Sequence, residues 1–558
     1  MANPAIAGGE TASGNGEQEP LLQDAQASDE YGAVGDGNGD ATNGDDDQVP
    51  LAEEATTKQA ILILGTVWIG VFFAALDGTI VATLAGPIST SFNSFTLLSW
   101  IASAYLIANA ALQPLSGRLT DIFGRRSGLI FSNIMFAAGN LICGLAKTDV
   151  VMIFGRVVSG MGGGGLNTIS TFIASDLIPL RRRGLWQGFG NICFALGAGL
   201  GGVFGGWVND ASPIGWRMAF LVQVPFIVVS GIIVAFTVKI PVKEKSMSRI
   251  KRVDFLGSLT LIMSLVLLLL GLNSGGNIVP WTHPLVLASL PLSVVFLCAF
   301  VYVEKKVAAE PVIPVDLLLD RTVAAACLAN WFSSMALFGL LYYGPIYFQV
   351  LGYSTTASGA RLIPSSAGAA IGSLGSGFLM KVTGKYYILT AFLLCCMVAA
   401  NIITTTLFNR NVAVWVPFIS FFLNGLGYGG MLTTTLLSLI SAVDHASQAL
   451  VTSASYAFRS TGSTIGITVA GAVFQNLLKK QLWERFGDEP GAAGMIRRLR
   501  DDLSEIKNLP EEWRDDVLTA YIESLRGVWG VLLGLMGLAL VSGLFMREHT
   551  LHSTLARK

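Results

Sequence analysis

The chain has 558 residues, of which 52% are hydrophobic and only 13% charged. A soluble chain of this length carries roughly 25% charged residues, so the composition excludes an ordinary water-soluble protein and points to a membrane. The formal net charge of −1 hides an asymmetry: residues 1–58 hold 13 acidic residues and one lysine, whereas residues 59–558 hold 35 Lys and Arg against 24 Asp and Glu.

Residues 1–58 contain almost no large apolar side chains and are expected to be a disordered, acidic cytosolic tail. Their one short pattern is EQEPLL at 17–22, which fits an acidic-dileucine sorting signal with Glu17, Leu21 and Leu22 and would engage a sorting adaptor. Apolar runs follow at about 60–84, 98–117, 127–146, 150–176, 185–208, 218–239, 254–272, 284–303, 322–350, 357–380, 386–407, 412–441, 447–478 and 526–547. Each is near the ~20 residues a helix needs to cross ~30 Å of hydrocarbon. The backbone must satisfy its own hydrogen bonds in lipid, so fourteen transmembrane helices are expected. Connections after even-numbered runs are basic (GRLTDIFGRR, RRR at 181–183, KEKSMSRIKR at 243–252) and those after odd-numbered runs are charge-poor. Positive residues stay cytosolic, which puts both termini in the cytosol. Residues 479–525 form one long connection of mixed charge, expected as a short amphipathic cap on the far face, and 548–558 form a second cytosolic tail.

Three features inside the apolar body resist a purely structural reading. Asp77 stands in GVFFAALDGTIVATLAG beside Gly78, Thr79 and Thr83. An ionised Asp at a helix centre costs ~2.5–3.5 kcal/mol on insertion scales and usually serves transport. A carboxylate able to be neutral or charged is what proton coupling requires. Arg156, seven residues into the fourth run, is the second intramembrane charge. It is expected to modulate Asp77 in proton coupling or to hold a substrate carboxylate; the bland alternatives are a side chain that snorkels to the nearby aqueous face or an ion pair with Asp77 that locks helices together. The ten residues GRLTDIFGRR place Gly117, Arg118, Asp121, Gly124, Arg125 and Arg126 between the second and third runs. Arginines there anchor a positive-inside loop, but an Asp between two glycines also suggests a conformational latch. Candidate pathway residues are Tyr105, Asn109, Gln113, Asn167, Gln187, Asn191, Tyr343, Tyr347, Gln349, Asn424 and Tyr428, each equally readable as interhelical hydrogen-bond glue. Arg361 and Arg459, early in the tenth and thirteenth runs, are as readily interface anchors as ligands.

GMGGGG at 160–165 literally satisfies G-x-G-x-x-G, yet it follows no strand and sits inside a span, so it is packing glycine. There is no phosphate-loop motif, no zinc spacing among four histidines and six cysteines, and no nucleophile–base constellation. Cofactors, nucleic-acid partners and enzymatic chemistry are not expected, and transport must run on a gradient.

GRLTDIFGRR, with GRVVSGMGGGG at 155–165, resembles the major facilitator superfamily. LDGTIVATLAGPI (76–88), WIASAYLIANAALQPLSGRL (100–119), WRMAFLVQVPF (216–226), YYGPIYFQVLGYSTTASGARLIP (342–364) and FRSTGSTIGI (458–467) are similar to segments of its 14-span drug:proton antiporter branch. Within that branch the chain is most similar to fungal vacuolar transporters of basic amino acids. The fifth-helix signature survives as glycines at Gly197, Gly199, Gly201, Gly205 and Gly206, with Gly202 where that branch carries a proline. The resemblance implies an all-α membrane fold of two six-helix bundles, over 59–240 and 322–547, with two extra helices and linkers at 241–321. It implies rocking alternating access and a proton-coupled antiporter moving basic amino acids into the vacuole. Its alternative is multidrug:proton efflux at the plasma membrane. The partners it implies are a small-molecule substrate (an amino acid or a drug-like cation), protons and the lipid bilayer.

Overall fold

The computed structural model describes residues 57–92, 96–178, 180–238, 254–275, 279–308, 315–444, 447–489, 491–501, 505–506 and 509–549. In chain order the helices are α1 (Thr57–Phe92), α2 (Thr96–Phe123), α3 (Arg125–Leu145), α4 (Asp149–Leu177), α5 (Leu180–Ala211), α6 (Arg217–Leu221), α7 (Gln223–Thr237), α8 (Phe255–Ser274), α9 (Pro284–Lys306), α10 (Val315–Leu318), α11 (Arg321–Val350), α12 (Thr355–Ala360), α13 (Ile363–Thr383), α14 (Tyr387–Leu407), α15 (Trp415–Ala442), α16 (Gln448–Phe486), α17 (Ala492–Asp501) and α18 (Glu511–Leu544). No strand occurs among the described residues; a single bridge joins Gly275 and Val279.

Each expected run falls on one long helix or one closely linked pair, α6–α7 and α12–α13 being the pairs. Ten of these segments are long and apolar enough to cross a membrane. The other four, α2, α4, α15 and α16, carry buried polar side chains, among them Asn109, Thr168, Asn424 and Thr464. These polar side chains lie against neighbouring helices, where they need not be excluded. The 479–525 connection is largely helical. α16 runs on to Phe486, α18 starts at Glu511, and between them α17 buries Ala492, Ile496 and Leu499 against the same core as Phe486 and Tyr521.

Helix neighbours repeat between the halves. α2 packs on α4 as α13 packs on α15; α3 on α4 as α14 on α15; α1 on α5 as α11 on α16; α3 on α7 as α14 on α18. The halves meet along two further matched seams, α5 with α13 and α2 with α16. This is a two-fold repeat of a six-helix unit, with α8 and α9 packed on each other and α8 leaning on α2 and α16.

Glycine makes these seams possible. A Cβ at Gly160 or Gly164 would strike the α2 backbone at Tyr105 and Asn109, and one at Gly155 or Gly162 would strike α3 at Cys143 and Phe136. The GMGGGG run therefore serves two helices on opposite faces of α4. α5 divides its glycines likewise: Gly197, Gly201 and Gly205 face α1, while Gly199, Gly202 and Gly206 face Ser366, Gly359 and Thr356 of the other half. Between α2 and α3 there is one linking residue, Gly124, at φ 95°; a side chain there is strained, which explains the glycine.

Candidate functional site

Asp77 and Arg156 form the one ion pair among the described residues in which both side chains are fully buried, with Arg156 Nη1 donating to Asp77 Oδ2 at 2.6 Å. α1 brings Asp77 and α4 brings Arg156. The guanidinium is held on two other sides: Nε donates to the Ile101 carbonyl at 3.2 Å, and the ring of Tyr105 lies 4.3 Å beneath it. The Tyr105 hydroxyl donates to the Ala74 carbonyl at 3.4 Å, tying α2 to α1. The carboxylate's second neighbour is Gln223 of α7. Close approach of α4 to α2 depends on Gly160, so the glycine run and the charge pair are one construction. In this conformation the carboxylate points into its own bundle, where its counter-charge, the Arg156 guanidinium, sits.

A cavity of about 190 Å³ lies between the halves. Its wall includes Tyr105, so the charge pair sits one side chain behind it. Of the sequence candidates, Tyr105, Asn109, Gln113, Asn167, Gln187, Asn191 and Tyr428 line the cavity. Tyr343, Tyr347, Gln349 and Asn424 do not. Tyr343 packs on Phe474, Tyr347 stacks on Phe408 and donates to the Asn409 carbonyl, Gln349 is at the end of α11, and Asn424 is wholly buried in α15. Sequence reasoning missed Tyr342, one residue from Tyr343, and also Tyr456, Trp68 and Trp186. Arg459 also lines the cavity. It is eleven residues into α16, not at the mouth of a span, and the small polar run SYAFRSTGST around it was the available signal. Arg361 caps α12 and stacks on Tyr353 at 3.6 Å, outside the cavity.

Hydrogen bonds between the halves flank the cavity. Toward the end where α1 begins, Thr171 and Tyr456 share a 2.6 Å bond, and Ser460 donates to Gln113 Oε1 at 2.6 Å. Midway, Asn191 donates to Ser373 Oγ at 2.8 Å. Toward the other end, the Tyr342 hydroxyl donates to the Gly78 carbonyl at 3.5 Å.

The 117–126 cluster sits beside the first of these closures. A Cβ on Gly117 would lie 2.5 Å from Ser453 Oγ of α16 and 3.2 Å from Phe172. Arg125 Nε donates to Asp176 Oδ2 at 2.9 Å and Nη1 to Thr120 Oγ1 at 2.8 Å, with the guanidinium 5.0 Å from the Phe172 ring. The acid that Arg125 meets is thus at the end of α4. Arg126 is exposed. The side chains of Arg118, Asp121 and the 181–183 arginines, and Glu17, Leu21 and Leu22, lie outside the described residues.

A repeated six-helix unit, a cavity on its pseudo-symmetry seam and a fully buried charge pair behind the cavity wall are the parts of a rocking carrier. The family model of the Major Facilitator Superfamily matches residues 67–467. This chain belongs to the Major Facilitator Superfamily. It is 36% identical to multidrug resistance protein fnx1 of Schizosaccharomyces pombe, over 92% of this chain and 99% of that one. It is 34% identical to the vacuolar membrane amino acid uptake transporter fnx2 of the same yeast, over 90% and 88%. With vacuolar basic amino acid transporter 2 of Saccharomyces cerevisiae the identity is 33%, over 80% and 97%. Among solved structures, a bacterial homologue of the human lysosomal transporter Spinster, inward-facing and unoccupied, superposes with a TM-score of 0.57 at 14% identity, over 88% of this chain and 98% of that one; this last likeness concerns the fold alone. As a member of the Major Facilitator Superfamily, the chain is an integral membrane transporter and not an enzyme.

Proposed function

We propose that this transporter is a proton-coupled antiporter that moves basic amino acids into the vacuole, with Asp77 and Arg156 as its coupling pair. The observation that carries the reading is the fully buried Asp77–Arg156 bond set directly behind Tyr105, a cavity wall residue. In the proposed cycle the bond opens as the halves rock. Asp77 is then exposed to one compartment and takes a proton. Arg156, relieved of its partner, stays on the Tyr105 ring and the Ile101 carbonyl. Deprotonation toward the cytosol restores the pair. Substrate and proton use the deprotonated state in turn, which gives exchange in opposite directions.

The substrate class is supported by the relatives named for vacuolar amino acid transport. The cavity size agrees with it: about 190 Å³ is below the ~300–1,000 Å³ of drug-sized sites. Efflux of drug-like cations is the second reading, supported by the relative named for multidrug resistance. In the membrane we place all fourteen long helical segments as spans and both termini in the cytosol, on the positive-inside bias. The 117–126 cluster serves as the latch of the cytosolic closure, and the 17–22 pattern as the adaptor signal.

The test uses purified protein in proteoliposomes with an acidic interior and labelled lysine or arginine. Wild type should accumulate the amino acid against its gradient. The double variant Asp77→Asn/Arg156→Gln, which strands neither partner's charge, should exchange substrate across the membrane but lose proton-driven accumulation. Undiminished accumulation by that variant would show that the pair is only a structural lock.

A further inference from the structure

Among the residues lining the cavity, Arg459 is the single charged one: no Asp, Glu, Lys or His shares the wall with it. None of the described carboxylates pairs with it, and its buried Nε has no hydrogen-bond partner. Its neighbours are two phenols. Its guanidinium lies 4.6 Å from the Tyr456 ring centroid, and the hydroxyls of Tyr428 and Tyr456 are within hydrogen-bonding reach. Both hydroxyls have other engagements, Tyr456 with Thr171 and Tyr428 with Ser334. A guanidinium enclosed in a protein interior without a counter-charge is unfavourable, and none of these neighbours supplies one. The residue type is also specific, since a planar fork of donors matches a carboxylate in two parallel bonds, as an ammonium does not.

We infer that Arg459 is the anchor for the substrate's carboxylate, so that the cavity selects amino acids over cations that lack one. The inference deepens the amino-acid reading given above and rests on it. The carboxylate sits on α16 between Arg459 and Ser463, another wall residue. The cationic side chain meets aromatic faces, because the wall offers Trp68, Trp186, Tyr105 and Tyr342 and no acid. Arg459 belongs to the second half and the Asp77–Arg156 pair to the first. A substrate held at Arg459 therefore reaches from one rocking body to the other, and its binding is felt across the seam.

Binding to the full-length protein in detergent tests this, by isothermal titration with L-arginine, L-lysine and their decarboxylated counterparts agmatine and cadaverine. Wild type should prefer arginine over agmatine by roughly tenfold to a hundredfold, the range of a charged hydrogen bond. Arg459→Gln should erase that preference by weakening arginine while leaving agmatine within about twofold. Chloride and acetate are titrated as competitors: competition by acetate alone identifies a carboxylate site, and equal competition by chloride reduces it to a general anion site and overturns the inference. Equal binding of arginine and agmatine by wild type overturns it too, and that comparison needs no variant to fold. Failure of proton-driven uptake in vesicles, with the arginine preference intact, would sink the coupling reading instead and leave this one standing.

Discussion

At the scale of single residues, the Asp77–Arg156 pair sets the largest expectation. Both side chains are at zero exposure and joined by a 2.6 Å bond, so neutralising one strands the other. Removing one member of a buried pair costs about 3–5 kcal/mol, whereas removing both is far milder. Asp77→Asn alone should therefore lower the thermal unfolding midpoint in detergent markedly, Arg156→Gln alone similarly, and the double variant should regain most of the loss. If the three variants unfold at the same temperature as wild type, the bond is not a stability element. This is why the transport test above relies on the double variant. A dead single variant reports misfolding as readily as lost coupling.

At the scale of helices, α5 carries two stripes of glycine with different consequences. Gly201 faces α1 within one bundle, where a Cβ would lie 2.5 Å from the Leu76 carbonyl. Gly206 faces the other half, where a Cβ would lie 2.9 Å from Thr356 Oγ1. Overpacking inside a fixed interface typically costs ~1–3 kcal/mol, while a seam that opens during rocking can part instead. Gly201→Val should thus lower the unfolding midpoint, and Gly206→Val should leave it near wild type but slow uptake several-fold. The opposite pattern in paired unfolding and uptake measurements would refute this division of α5. The glycine spacing was legible in the sequence, but which stripe met which partner was not. The same limit explains the pathway residues. Hydropathy located the long helices to within a few residues, apart from longer extensions such as the ends of α1 and α16 and the start of α18, because lipid leaves the backbone no other solution. It did not give their rotation. Neighbouring residues on a helix point about 100° apart, so Tyr342 lines the cavity while Tyr343 packs on Phe474. Arg459 was seen but placed at a span's end, since only the packing of α16 against its neighbours decides that its side chain lines the cavity.

At the scale of the molecule, the contacts between halves are arranged to break on one side at a time. Thr171–Tyr456 and Gln113–Ser460 close the end where α1 begins, and Tyr342–Gly78 approaches closure at the other. Each is a hydrogen bond between rigid bodies, worth ~1 kcal/mol, so removing one shifts the conformational equilibrium about fivefold. Asn167, on the cavity wall and half-buried, gives a place to read that shift. In a variant with the six native cysteines replaced and Asn167→Cys added, an impermeant maleimide applied from the α1 side should react several-fold faster once Tyr456→Phe is introduced. Tyr342→Phe should slow the same reaction, because weakening the far closure favours opening there. Two closures coupled through one rocking motion must respond in opposite senses. If both variants raise the rate from the same side, the halves are loosening locally and do not alternate.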